Sequence, residues 1–315
     1  LDTLVDRWAA RIADTPTARE ALRTILSSAA EDLLPPVMPD AVRDAYLVLD
    51  REAGLAADGP GAAPGADREG FDPVVSYEES FGDDFGFGFS LGGLLTPLKQ
   101  LSFWKMKARA RSIGEGGGHF FLERLLAVPG AGEVRYHLMG HSFGCIVVTS
   151  MVAGPQSGSG TSRPVSSMAL VQGATSHWGY CNDIPYASGR PGYFHRLIKN
   201  GNVAGPIVAT TSNHDRALSI WYPKGAGIAG QVDFDPSRPG KYGAIGITGI
   251  QGPGVDVTDR KIGSATTDYG FSPGKVYNLR SDAVIKDGDF FSGGHNDIAH
   301  PEVAHAVWEA ILTAP

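Results

Sequence analysis

An α/β fold with a mostly parallel central sheet flanked by helices is what this sequence predicts, and three observations predict it. Met168-Ala169-Leu170-Val171, Pro206 to Thr211 (PIVATT) and Val276 to Leu279 (VYNL) are continuous apolar or branched runs, the pattern of strands covered on both faces. Long excursions separate these runs. Val134 to Val152 (VRYHLMGHSFGCIVVTSMV) reads as an apolar strand, a sharp turn and an apolar helix in direct succession.

Taken in order, residues 1–55 read as a helical amino-terminal segment. Leu4, Trp8 and Ile12, then Ala21, Leu22, Ile25, Leu26 and Ala29, recur at helical spacing, and Asp40-Ala41-Val42 opens another helix. Residues 56–70, rich in Gly, Pro and Ala, hold no regular element and read as a linker or mobile loop that marks the boundary of a main domain at 71–315. Val74, Val75 and Tyr77 form a short strand candidate. The Phe/Gly run that follows (FGDDFGFGFSLGGLL) reads as a loop, being short and flanked by ordered patterns. Pro97 to Leu126 is helical, and Gly114 with Gly116 to Gly118 in its middle imply a break or very close helix packing. Ala153 to Pro164 is a polar Gly/Ser loop. Residues 174–205 carry His177, Trp178, Tyr180, Tyr186, Tyr193 and Phe194 and read as a lid-like excursion, because ligands of open α/β sheets sit beyond the carboxyl ends of the strands. Pro301 to Thr313 is the terminal helix, with Pro at its first position.

The turn within 134–152 holds the chemistry. Gly140-His141-Ser142-Phe143-Gly144 places Ser142 in a strained backbone geometry, with the positions two before and two after it required to lack side chains. The Ser142 hydroxyl then stands above the sheet edge, over the first NH groups of the following helix, where developing negative charge is stabilised. Gly88-Phe89-Ser90-Leu91-Gly92 matches the same pattern, as a chain with 42 glycines readily does. It follows no branched apolar strand, and Gly93 and Pro97 interrupt any helix after it, so it reads as a glycine-rich loop.

A serine hydroxyl needs a base to take its proton, and the base needs an acid to fix its tautomer and stabilise its cation. Thr211-Ser212-Asn213-His214-Asp215 directly follows the second strand after the turn, which puts Asp215 at that strand's carboxyl end; it also suits the N-cap of a helix from Arg216 to Trp221. The loop Phe291 to Asp297 (FSGGHND) follows the last strand and supplies His295. His300 precedes Pro301 as a helix-flanking residue, and His305 lies within the helix. The spacing of five among 295, 300 and 305 sets successive side chains ~140° apart on a helix, which does not converge on a metal ion.

Composition narrows the classes. Hydrophobic residues at 42% and charged residues at 19% suit a soluble globular protein, and no apolar run approaches the ~20 residues needed to cross a bilayer. With 27 basic and 34 acidic residues, a net charge of -7 and no Lys/Arg cluster, a nucleic-acid partner is not expected. Cys145 and Cys181 read as buried free thiols rather than a disulfide framework. No leader pattern is present, so a cytoplasmic location is expected, although an opening at Leu1 rather than Met leaves room for an earlier leader or domain.

The order Ser142, Asp215, His295, with G-x-S-x-G between strand and helix, resembles the α/β-hydrolase superfamily, most closely its lipase, esterase and thioesterase-like members. The resemblance spans roughly residues 71 to 315 and rests on GHSFG, NHD and GGHND. It implies a serine hydrolase of carboxylic esters or thioesters with an acyl-enzyme on Ser142, His295 as base and Asp215 as its partner, without a cofactor or metal. The Phe143 backbone NH would be one oxyanion donor, the second being unassigned, and His141, His177 and Trp178 would face a small or lipid-like acyl substrate. The superfamily usually has several strands before the turn, with the second oxyanion donor in the loop after the third; either these strands and that loop precede Leu1 or the Gly-rich segment 82–93 supplies the oxyanion loop. The same residues also suit an acyltransferase, or a non-catalytic scaffold of the same fold whose amino-terminal helices dock a protein partner.

Overall fold

Five strands form one all-parallel sheet in the order β1-β2-β3-β5-β4, with β1 at His137–His141, β2 at Ser167–Val171, β3 at Ile207–Thr211, β4 at Val257–Lys261 and β5 at Val276–Arg280. The computed structural model describes residues 1–78, 80, 92–128, 130, 133–224, 239–288 and 292–315. The loop expected at 82–93 and most of the second G-x-S-x-G copy lie outside the described residues. The three strands expected after the turn are β2, β3 and β5. β2 and β3 are buried along their whole length, as continuous apolar runs require.

The helices are α1 (Asp2–Arg11), α2 (Pro16–Glu31), α3 (Asp40–Ala53), α4 (Pro73–Glu78), α5 (Thr96–Ile113), α6 (His119–Leu126), α7 (Phe143–Ala153), α8 (His195–Lys199), α9 (Arg216–Lys224), α10 (Ile245–Thr248) and α11 (Pro301–Leu312). On one face of the sheet, Cys145 and Val152 of α7 pack with Met168, Leu170, Ile207, Ala209 and Val276. On the other face, Ala306 and Ala310 of α11 pack with Val208, Tyr277 and Leu279. The alternation of these residues along each strand sends successive side chains to opposite layers. The first three helices bury their own core of Val5, Ile12, Leu22, Ile25, Tyr46 and Leu49, which α5 joins through Leu98 and Leu101. Among the described residues, no helix is long and apolar enough to cross a membrane.

Two expectations are changed and one strand is added. Val74, Val75 and Tyr77 belong to a helix, not a strand: the Asp72 carboxylate accepts from the NH groups of Val74 at 2.9 Å and Val75 at 3.3 Å, and Pro73 opens α4. An Asp cap followed by Pro overrides the β propensity of two valines. β4, with the polar sequence VTDRK, was not anticipated; it is an edge strand whose last three residues are exposed. Residues 56–70 carry no regular element, as expected, but they are pinned. Arg68 bonds to Asp50 at 2.8 Å and to the Leu55 and Ala56 carbonyls, Asp67 pairs with Lys107, and Gly61 O accepts from the Tyr193 NH at 2.9 Å.

Both readings of the glycines between α5 and α6 hold. Residues 114–118 form a wider helical turn broken at Gly116 (φ -93°, ψ -105°), and a Cβ at Gly114 would overlap Ser150 Cβ and the Val147 carbonyl of α7.

Candidate active site

Ser142 joins β1 to α7 with φ 56° and ψ -125°, a conformation that an L-residue adopts only where its surroundings dictate it. Three backbone bonds fix the turn: the Ser142 NH donates to Val171 O, and Ser142 O accepts from the NH groups of Cys145 and Ala174, each at 3.1 Å. The requirement for glycine is one-sided. A Cβ at Gly140 would sit 2.5 Å from the Gly144 carbonyl and 2.6 Å from Cys145 N, whereas a Cβ at Gly144 would meet nothing within 4 Å. The expectation that both positions must lack side chains therefore holds for Gly140 alone, because the helix passes over the strand and not the reverse. The Phe143 NH is the first of α7, one of the helix-opening donors without an intrahelical partner. Cys145 is buried and reduced, and its thiol is held well above the ordinary value by that burial.

His295 is brought to Ser142 across 153 residues: its Nε2 lies 2.8 Å from Ser142 Oγ, and its Nδ1 lies 2.7 Å from Asp215 Oδ2. A carboxylate oxygen only accepts, so Nδ1 carries the proton and Nε2 accepts from the serine hydroxyl. Asp215 is completely buried, and its two oxygens divide the work anticipated for it: Oδ1 accepts from the Leu218 NH at 2.9 Å, capping α9, while Oδ2 faces His295. The two glycines before His295 let its loop lie against the Asp215 turn. Gly293 (φ 52°) bridges to Asp215, a Cβ there would collide with the His214 carbonyl, and that carbonyl accepts from the Gly294 NH at 2.7 Å.

His141 also reaches this cluster. Its Nε2–H donates to the His295 carbonyl at 2.9 Å, the two rings lie 5.1 Å apart, and burial holds its imidazole below the ordinary value. His177 and Trp178 are committed elsewhere. Both are buried; His177 Nδ1 bonds to the Thr248 hydroxyl at 2.7 Å, Trp178 Nε1 donates to Lys241 O, and the excursion they belong to packs inward around Trp178, Cys181 and Ile184. Burial pushes the His177 imidazole down to about 3. The structure thus brings Ser142, Asp215, His295, His141 and Phe143 together and sets His177 and Trp178 into packing. His300 and His305 bond separately, to Asp297 Oδ1 and Thr267 O. At the carboxyl ends of β3, β4 and β5, a cleft of about 270 Å³ is lined by Thr211, Asn213, Thr248, Gln251, Lys261 and Arg280, next to the turn that carries Asp215.

Two sets of residues escape sequence reasoning. Gln172 donates to Asp215 Oδ2, and its only signal is a polar residue closing an apolar strand just before a glycine. Lys107 and Asp67, a pair buried behind Phe103 and Tyr222, leave no signal, since a lysine on a helix normally reads as surface. No protein-family model, no curated protein and no solved structure matches the chain.

Proposed function

We propose that this chain is a serine hydrolase of the α/β-hydrolase type, cleaving a carboxylic ester or thioester through an acyl-enzyme on Ser142. One observation carries the reading: a hydroxyl held at positive φ on a strand-to-helix turn, in line with His295 at 2.8 Å and with Asp215 behind it at 2.7 Å. Ser142 Oγ attacks the carbonyl carbon as its proton passes to His295 Nε2, and the negative charge forming on the carbonyl oxygen meets the Phe143 NH and the amino end of α7. Asp215 accepts from Nδ1–H and stabilises the imidazolium. Collapse of the adduct breaks the bond to the alkoxide or thiolate, which takes the Nε2 proton and leaves the acyl group on Ser142. Water, deprotonated by the same nitrogen, then releases the acid. Acyl transfer to another acceptor follows the same steps with that acceptor in place of water.

The test is covalent labelling with a fluorophosphonate, followed by turnover of p-nitrophenyl esters of graded chain length. Labelling of the wild-type chain is expected at Ser142 and is lost in Ser142→Ala, with ester turnover falling at least about 10⁴-fold. A folded wild-type chain that takes no label favours the non-catalytic scaffold instead.

A further inference from the structure

Gln172 directly follows β2. With Ser142 it is one of two non-glycine residues at positive φ among the described residues, at 45°. A conformation so unfavourable to an L side chain persists where the surroundings over-determine it, and those surroundings are the Thr210 hydroxyl, the Gly246 carbonyl and the Asp215 carboxylate. The Gln172 side chain is fully buried. Its Nε2 donates to Asp215 Oδ2 at 2.9 Å and to Gly246 O at 3.1 Å, and its Oε1 accepts from the Thr210 hydroxyl at 3.0 Å. The Gln172 backbone NH donates to that same Thr210 oxygen. Turning the amide over would set Oε1 against a carboxylate oxygen and a carbonyl oxygen, three acceptors with no proton among them, so the chemistry permits one orientation. Asp215 Oδ2 therefore receives two donors, His295 Nδ1 and Gln172 Nε2, while Leu218 NH holds Oδ1.

We infer that Gln172 is a positioning residue for the Ser142–His295–Asp215 relay. It fixes the rotation of the Asp215 carboxylate and draws charge from the oxygen that faces the imidazole. A carboxylate can turn about its Cβ–Cγ bond; one donor on each oxygen stops it, and Oδ2 is left aimed at Nδ1. The amide competes with His295 for electron density on Oδ2, so the imidazolium is stabilised less than it would be by a free carboxylate. With Oδ2 shared in this way, Asp215 holds His295 Nδ1–H in place and leaves Nε2 turned toward the Ser142 hydroxyl. Its catalytic meaning rests on the hydrolase reading, whereas the effect on His295 does not.

The test uses Gln172→Gly and Gln172→Asn, both of which tolerate positive φ; the first has no amide and the second is one methylene shorter. The pH dependence of kcat/KM is measured with p-nitrophenyl butyrate, and the His295 ring is titrated by ¹⁵N NMR in the same samples, assigned with His295→Gln. In both variants the acid limb and the ring titration move up by roughly half a unit or more, kcat falls about tenfold, and KM changes little. The thermal midpoint of Gln172→Gly falls, since the buried partners at Gly246 O and Thr210 lose the amide, so the role is read from the acid limb and the ring titration, which lost packing alone does not move. A folded variant in which neither the acid limb nor the ring titration moves overturns the inference, as does a loss confined to KM. If wild-type protein fails to turn over the ester, the hydrolase reading falls and the NMR titration alone decides the role of Gln172: an upward shift sustains it and no shift ends it.

Discussion

The Ser142–His295–Asp215–Gln172 cluster and the Lys107–Asp67–Tyr222 cluster both hide polar groups from water, and three aromatic rings join them: Phe143 lies 5.3 Å from Phe103, which lies 5.9 Å from Tyr222. The first cluster sits at the carboxyl ends of β1, β2 and β3, and glycines shape its loops. The second holds an ion pair between α5, segment 56–70 and α9. The Lys107 ammonium lies 4.4 Å from the Trp104 ring and 4.0 Å from the Tyr222 ring, and burial pulls it down to about 8. Its third partner, the Tyr222 hydroxyl, donates to Ala174 O, and the NH of Ala174 donates to Ser142 O. In the first cluster, on the proposed reading, a proton passes between Ser142 and His295 while Asp215 stays a carboxylate and holds the imidazole. In the second, one charge faces its partner with no exit, and what it supplies is attachment: the helical layer, the pinned segment and the sheet meet on one ammonium group.

If that contrast is right, the two clusters fail differently. Lys107→Met strands the Asp67 carboxylate in the interior and should cost about 3–5 kcal/mol of stability in urea unfolding. Adding Asp67→Leu should recover most of that loss, while the folded fraction still takes a fluorophosphonate at Ser142. Loss of labelling with an unchanged midpoint would break the comparison by making the ion pair part of the chemistry.

A smaller effect sharpens the picture of the turn itself. Gly140→Ala forces a methyl against the Gly144 backbone and should lower stability by about 1–3 kcal/mol, whereas Gly144→Ala, with open space for its methyl, should stay within about 0.5–1 kcal/mol of wild type.

Over the first pH unit below 6.5 the smallest effect concerns His177, whose shift comes from burial. Its folded value of about 3 lies below the ordinary 6.5, so between those limits the unfolded chain binds the extra proton. Its contribution to stability is complete above pH 6.5 and is lost as pH falls toward 3, with a slope of at most about 1.4 kcal/mol per pH unit. His177→Phe should flatten the thermal midpoint against pH in that window; an unchanged slope would show that another group governs it.

What the sequence discloses follows the same division. The turn at Ser142, the Asp215 segment and the His295 loop could be located because each rests on a backbone demand written locally: a glycine where a helix crosses a strand, a cap before α9, two glycines that let one loop lie on another. The strands buried on both faces were equally visible in MALV, PIVATT and VYNL. β4 was not, since an edge strand with one wet side needs no continuous apolar run. The valines of α4 misled because an Asp-Pro start outweighs their β preference. His177 and Trp178 looked like pocket walls for want of any local mark that distinguishes an aromatic facing a cleft from one facing a core. Lys107 and Asp67 stand 40 residues apart, and only the assembled layers show that they meet.

The Ser142–His295–Asp215 cluster is assembled from segments far apart along the chain: His295 stands 153 positions after Ser142 and 80 after Asp215. On the proposed hydrolase reading, a polypeptide emerging from the ribosome carries Ser142 long before His295 is synthesised. A covalent probe of that hydroxyl would therefore read out completion of folding, remaining silent on nascent or truncated chains and sounding only when the last loop has closed.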